Sequence, residues 1–285
     1  MDYSIFCDIL NKQIFESSKR DLIEKISNYP DRYIGLFRPT KPKAKILQNL
    51  LQSNEIRFGD ALEILFEKYF KQLGFINLEK RIGNGREYMD LDQIFENKET
   101  ICFVEQKVRD DHDSTKKRGQ ISNFERKINA LLKTYKEKEL KCYIYFIDPG
   151  LTKNKRFYIQ ELDKIHSDYN VFTKLCYGKD LWDEVGHPEV WDELLKYLKC
   201  WKKEIPDMPS VNFDDDAENT FEEIKEIDIS IFRKMFNNNE ICNEILPILF
   251  PEKKVLKLLY TYFIQKTNQG SIYKTLSGKI NEIIT

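Results

Sequence analysis

The chain has 285 residues, with 46 lysines and arginines against 47 aspartates and glutamates, a net charge of −1, and 41% hydrophobic and 13% aromatic residues. With a mean hydropathy of −0.56 this is ordinary globular composition, which excludes collagen-like, low-complexity and largely disordered chains and a polycationic nucleic-acid coat. The longest apolar runs, Tyr143 to Ile147 and Ile245 to Phe250, fall far short of the roughly 18 to 20 residues that cross a bilayer, and the first residues lack the basic start and apolar stretch of a secretory signal, so a cytoplasmic protein without a membrane partner is expected.

Residues 4 to 28 carry apolar side chains at helical spacing (Ile5, Ile9, Leu10, Ile14, Leu22, Ile23, Ile26) and predict one or two amphipathic packing helices. Tyr33 to Pro42, punctuated by Pro39 and Pro42, reads as extended chain before a helix at Ala44 to Gln52. Arg38, Lys41, Lys43 and Lys45 there could line a phosphate backbone or form a solvated basic loop. Gly59 to Leu73 predicts a long amphipathic helix stopped at Gly74, with Glu63 beside its apolar stripe, where an exposed acid is the ordinary reading.

A glycine-rich turn at Arg81 to Arg86 precedes an alternating strand, Tyr88 to Phe95, preceded in turn by a short strand within Phe75 to Arg81. The turn Glu96-Asn97-Lys98-Glu99 leads into a second strand, Thr100 to Lys107. If Phe95 pairs with Thr100 across that turn, Asp90 faces Glu105 and Asp92 faces Phe103, and the period of two puts Glu105 and Lys107 on one face. Two carboxylates and a lysine then share a patch. Adjacent carboxylates repel unless neutralised, and a hard divalent cation such as Mg²⁺, with one or two carboxylates and several waters, is the usual solution. Such an ion can polarise a phosphoryl oxygen and activate water while an ammonium steadies the developing charge, which is phosphodiester hydrolysis.

From Glu105 to Lys136 nine basic residues stand against five acids. Asp113-Ser114-Thr115 can cap the basic helix beginning near Lys116, while Asp110, Asp111 and Asp113 could also hold Arg109 and His112 or contact base amino groups. Cys142 to Ile147 supplies a further strand. Trp182, Trp191 and Trp201 read as core or dimer-interface aromatics, and His112 as a loop histidine. With three histidines, and six cysteines that form no CxxC pair, a zinc site or a Ser-His-Asp hydrolase has few possible members. Glu204 to Asp228 holds ten acids and one lysine and reads as a solvated connector to a C-terminal helical region from Ile229, which could recognise DNA, dimerise or merely pack.

Asp90, fourteen intervening residues, then Glu105-Gln106-Lys107 resembles the PD-(D/E)XK nuclease pattern, with Met89 in place of the proline that gives the family its first letter. Gly59-x-x-x-Glu63 on the preceding helix resembles the acid that many members add to the metal site. The tract Val108 to Gln120, with Tyr177 to Trp182, further resembles type II restriction endonucleases. The resemblance implies an α/β (α+β mixed sheet) core at about 55–150 flanked by helices, within a nuclease domain at 1–203, a connector at 204–228 and a helical region at 229–285. It implies Mg²⁺ held by Asp90, Glu105 and Glu63, with Asp92 as the alternative to Asp90, and Lys107 positioning the attacking water. Lys116, Lys117, Arg118, Gln120 and Arg109 would contact double-stranded DNA. Sequence-specific cleavage leaving a 5′ phosphate, a homodimer and a cognate DNA methyltransferase complete the expectation. Two rival readings are a repair or structure-selective nuclease of the same fold, and a DNA-binding module without catalysis.

Overall fold

The run Thr-Ile-Cys-Phe-Val-Glu-Gln at 100–106 is buried along its whole length, as expected of a central strand covered on both faces. In the computed structural model, which describes residues 1–84 and 87–285, it is the middle of a five-stranded mixed sheet. Four helices come first: α1 (Tyr3–Phe15), α2 (Ser18–Asn28), α3 (Asp31–Ile34) and α4 (Pro42–Gln72). Five strands follow, β1 (Ile76–Asn77), β2 (Arg81–Asn84), β3 (Glu87–Asp90), β4 (Gln93–Glu96) and β5 (Thr100–Lys107). Then come α5 (Ser114–Thr134), β6 (Glu139–Phe146), α6 (Lys155–Tyr169), β7 (Phe172–Tyr177), α7 (Asp180–Glu184) and α8 (Glu189–Glu204). The chain ends with α9 (Ala217–Ile224), α10 (Ile229–Asn237), α11 (Leu246–Leu249), α12 (Lys254–Gln265) and α13 (Ser271–Ile284).

The large sheet has the order β1-β4-β5-β6-β7, antiparallel at β1/β4 and β4/β5 and parallel at β5/β6 and β6/β7. The mixed α/β architecture expected from the sequence is therefore present, with β7 added to the predicted core. One face of β5 packs Ile101 and Phe103 against Phe124, Ile128 and Leu131 of α5, with the Phe103 and Phe124 rings stacked at 5.3 Å. On α4, Phe66, Tyr69 and Phe70 gather round Trp182, and Phe70 stacks on Phe95 at 3.8 Å. Trp182, Trp191 and Trp201 are all buried, as core aromatics.

The chain divides into two units, Met1–Leu10 with Phe58–Ile205, and Asn11–Arg57 with Pro206–Thr285. This redraws the boundaries expected from the sequence, because residues 11–57 join the C-terminal helices and not the sheet. Leu22, Ile26 and Ile46 share one apolar core with Phe232, Leu256, Phe263 and Ile280. The acidic segment is likewise no bare connector. Phe213, Ala217 and Ile224 fall on one helical face and enter that core, while Asp214, 1% exposed, accepts hydrogen bonds from the amides of Glu252 and Val255 at 2.8 and 2.9 Å. Asp214 apart, its acids lie at the surface while Phe213, Ala217 and Ile224 are buried, which composition alone conceals.

Three local expectations also change. The two helices expected within 44–73 are one continuous α4, and Tyr33 to Pro42 opens with the short α3. The single strand expected at Tyr88 to Phe95 is broken at Leu91 and Asp92, so β3 pairs with β2 in a separate two-stranded sheet while β4 enters the large one. Gly85 and Arg86 of the glycine-rich turn lie outside the described residues.

Candidate active site

The β4–β5 turn sets the register and thereby decides which acid meets Glu105. The Asn97 side-chain oxygen accepts from the amides of Glu99 and Thr100 at 3.1 and 2.9 Å, closing the turn one residue further along the chain than the sequence predicts. Glu96 consequently pairs with Ile101 and Phe95 with Cys102, two residues away from the expected register. Continued by one residue past Gln93–Val104, this register brings Asp92, not Asp90, against Glu105. Asp90 instead pairs with Arg81 in the small sheet, where its side chain is 81% exposed and lies 3.5 Å from the Arg81 guanidinium. The structure thus does not bring Asp90 to the cluster, and the alternative residue, Asp92, takes the position.

Asp92 is held there by the backbone amide of Gln106, which donates to Oδ2 at 2.8 Å. The same oxygen accepts from Lys107 Nζ at 2.7 Å, and Lys107 Nζ also lies 3.1 Å from Glu105 Oε1. One ammonium therefore bridges the two carboxylates. Burial alone would lower the Lys107 pKa, but Glu105 and Asp92 outweigh it and hold the amine protonated, well above its ordinary range.

A second lysine completes the cluster. Lys127 of α5, almost fully buried, donates to Glu105 Oε2 at 2.6 Å and stands 3.9 Å from Asp92 Oδ1. Sequence reasoning counts Lys127 only among the nine basic residues from Glu105 to Lys136 and misses this contact. The signal was present: Lys127 lies three residues after Phe124 and four before Leu131, on the apolar stripe of its helix.

Glu63 is half-buried on α4, not an exposed helix acid. The helix is tied to the sheet beside it by Gln93 Nε2, which donates to the Glu63 carbonyl at 2.6 Å. Burial, with the neighbouring Asp92 charge, pushes the Glu63 carboxyl up to about 7, against the opposing pull of Lys80 and Lys107. A cation near Asp92 would relieve that repulsion.

The cluster opens into a cavity of about 480 Å³ lined by Asp92, Glu105, Lys107, His112, Lys116 and Gln120 among others. Lys116 and Arg118 are exposed at the start of α5, whereas Lys117 lies with its amine 4.6 Å from the Phe157 ring. Gln120 accepts a hydrogen bond from the Tyr158 hydroxyl, and Arg109 is half-buried. Asp113 caps α5 through the amides of Thr115 and Lys116 at 3.0 and 2.8 Å. Asp110, fully buried, accepts from the Tyr177 hydroxyl at 2.9 Å and from the backbone and side chain of Asn154 at 2.8 Å, pinning the loop after β5 to the start of α6 and the end of β7. His112 faces the cavity with Nδ1 buried and without a hydrogen-bond partner.

Among the described residues no three His, Cys, Asp or Glu side chains surround one point. The donor set is Asp92 and Glu105, two hard oxygen ligands on one sheet face, and this suits a cation that binds few carboxylates and retains its waters.

The sequence pattern of the HinfI type II restriction endonucleases matches residues 3–87 and 75–202, which together make up well over half of the chain. The chain belongs to the HinfI type II restriction endonuclease family. It is thereby a type II site-specific deoxyribonuclease, and DNA is its ligand. This sets aside the repair-type and non-catalytic readings. No curated protein matches the chain significantly. No described helix is long and apolar enough to cross a membrane.

Proposed function

We propose that this HinfI-family endonuclease cleaves double-stranded DNA at a specific sequence in a Mg²⁺-dependent reaction centred on Asp92, Glu105 and Lys107. The observation that carries the proposal is the Lys107 ammonium held between the two carboxylates on the wall of an open, partly basic cavity. Asp92 and Glu105 would hold the metal, with Glu63 beside them as a further acid. Mg²⁺ bound there supplies charge neutralisation at the scissile phosphate and lowers the pKa of a bound water. Lys107, kept protonated, orients the attacking water and offsets charge that builds on the phosphate. Lys127 fixes the Glu105 carboxylate, so that its orientation does not depend on substrate.

Lys116, in the cavity lining, and Arg118, exposed two residues later on α5, would contact phosphates, and Gln120 and His112 reach the lining. A homodimer matches a two-fold symmetric recognition sequence, and cleavage leaves a 5′ phosphate. A cognate DNA methyltransferase that protects the host sequence is the genetic partner this reading implies. The cell interior, where both enzymes meet DNA, is the proposed compartment.

The test is digestion of unmethylated plasmid and phage DNA with Mg²⁺, with EDTA, and with an Asp92→Asn, Glu105→Gln double variant. Discrete fragments that need both the metal and the acids support the proposal, and identical fragments in EDTA refute the metal dependence.

A further inference from the structure

Leu36 and Phe37 are 89% and 99% exposed, the most exposed of the chain's large apolar side chains among the described residues. They are adjacent and occupy the two central positions of a turn closed by the Arg38 amide, which donates to the Gly35 carbonyl at 3.2 Å. The turn is built to keep its shape. A Cβ at Gly35 would collide with the Asp31 carbonyl oxygen, Pro39 follows the turn, and Pro42 opens α4. Single exposed apolar residues are ordinary, but two held side by side on a stiff turn present a small apolar wedge to water.

The charge around the wedge indicates its occupant. From Leu36 to Asn54 the chain carries Arg38, Lys41, Lys43 and Lys45 and no acid; the nearest acids in sequence are Asp31 and Glu55. Arg38, Lys41 and Lys43 are exposed. A protein partner would match an apolar tip with apolar surface, whereas exposed cations following Leu and Phe closely in the chain, with no acid among them, match phosphates flanking a base step. Leu and Phe are also the side chains that enter between base pairs from the minor groove, where they unstack a step and kink the duplex. The prolines and the glycine reduce the ordering cost of such insertion.

We propose that Leu36 and Phe37 form a wedge that inserts into the DNA duplex, anchored by Arg38, Lys41 and Lys43 on the adjacent phosphates. This rests on the family's DNA substrate and gives the helical unit a role in deforming it. Insertion unwinds the duplex, and unwinding can be read on closed circular DNA without knowing the recognition sequence.

The experiment uses the full chain carrying Lys107→Ala, in EDTA, so that plasmid stays whole. Plasmid is relaxed by a metal-independent type IB topoisomerase in the presence of the protein, and its topoisomers are resolved after protein removal. Binding of the same plasmid is followed by filter retention across a salt series. The expected result is a shift of the whole ladder toward negative supercoiling, absent with Leu36→Ser, Phe37→Ser and kept with Phe37→Trp, while binding changes less than about threefold because the phosphate contacts supply most of it. Both side chains are exposed, so the thermal unfolding of the double serine variant should match that of its parent. The wedge is refuted if the parent binds without shifting the ladder, or if the double variant shifts it equally. It is also refuted if that variant loses only self-association. Failure of the parent to bind DNA at low salt would overturn the DNA reading itself and the wedge with it.

Discussion

Lys107 Nζ donates to Asp92 Oδ2 at 2.7 Å, whereas Asp90, two residues earlier on the same segment, points into water beside Arg81. The site is thus organised by a lysine that touches both acids. Lys107→Ala removes the group that orients water and leaves two carboxylates facing each other. Cleavage should fall by about 10²- to 10⁴-fold, with plasmid binding changed only a few-fold. Single-turnover cleavage and filter binding on the same preparation separate the two effects; parallel loss of both would indicate a folding defect.

Lys127 and Glu105 are both almost fully buried, and each is the other's charge partner. Breaking a buried pair by removing one member costs about 3 to 5 kcal/mol when the survivor is left unpaired, and here the cost is smaller because Lys107 stays 3.1 Å from Glu105 Oε1. Lys127→Met should lower the urea midpoint and with it the unfolding free energy, by less than that amount, and Lys127→Met, Glu105→Leu should recover much of the loss. An unchanged midpoint in the single variant would mean that Lys127 does not hold Glu105.

Asp113 receives two backbone amides at the start of α5, and these hydrogen bonds, that of Lys116 foremost, hold its carboxyl below the usual aspartate range. A carboxylate with a lowered folded-state pKa stabilises the protein above its unfolded pKa, and this is lost as pH falls through the folded value. Asp113→Ala should therefore lower Tm at neutral pH, with the difference disappearing in acid, and should leave the cleavage site unchanged. A variant of unchanged Tm that cuts altered sequences would assign Asp113 to base contact.

Asp214 tests whether the acidic segment is part of the helical unit. Its two oxygens satisfy two backbone amides before and at the start of α12, one of them buried. Leaving such donors without a partner costs about 1 to 3 kcal/mol. Asp214→Ala should show that loss in urea denaturation, whereas Asp215→Ala, exposed on the same turn, should change little.

Much of the core was legible in the residues. Glu105 and Lys107 alternate on a strand of β-branched and aromatic residues, and the basic helix with its Asp113 cap follows from local chemistry. Asp92 was legible only as an alternative, because register depends on the turn. Asn97 caps Thr100 as well as Glu99, and a shift of two residues exchanges one aspartate for the other while leaving the strand's faces unchanged. The pairing of Asn11–Arg57 with the C-terminal helices was not legible. Amphipathic helices announce that they bury a face, not which partner covers it. The acidic run misled for a related reason, since Phe213, Ala217 and Ile224 are outnumbered by carboxylates that, Asp214 apart, stay at the surface.

The most direct measurement compares Asp92→Asn with Asp90→Asn in Mg²⁺-dependent plasmid cleavage, alongside a melting curve for each. The register found here predicts loss of cleavage by at least about 10²-fold for Asp92→Asn, with Asp90→Asn within a few-fold of the parent protein and both variants folded. Full activity in Asp92→Asn together with a dead, folded Asp90→Asn would contradict it.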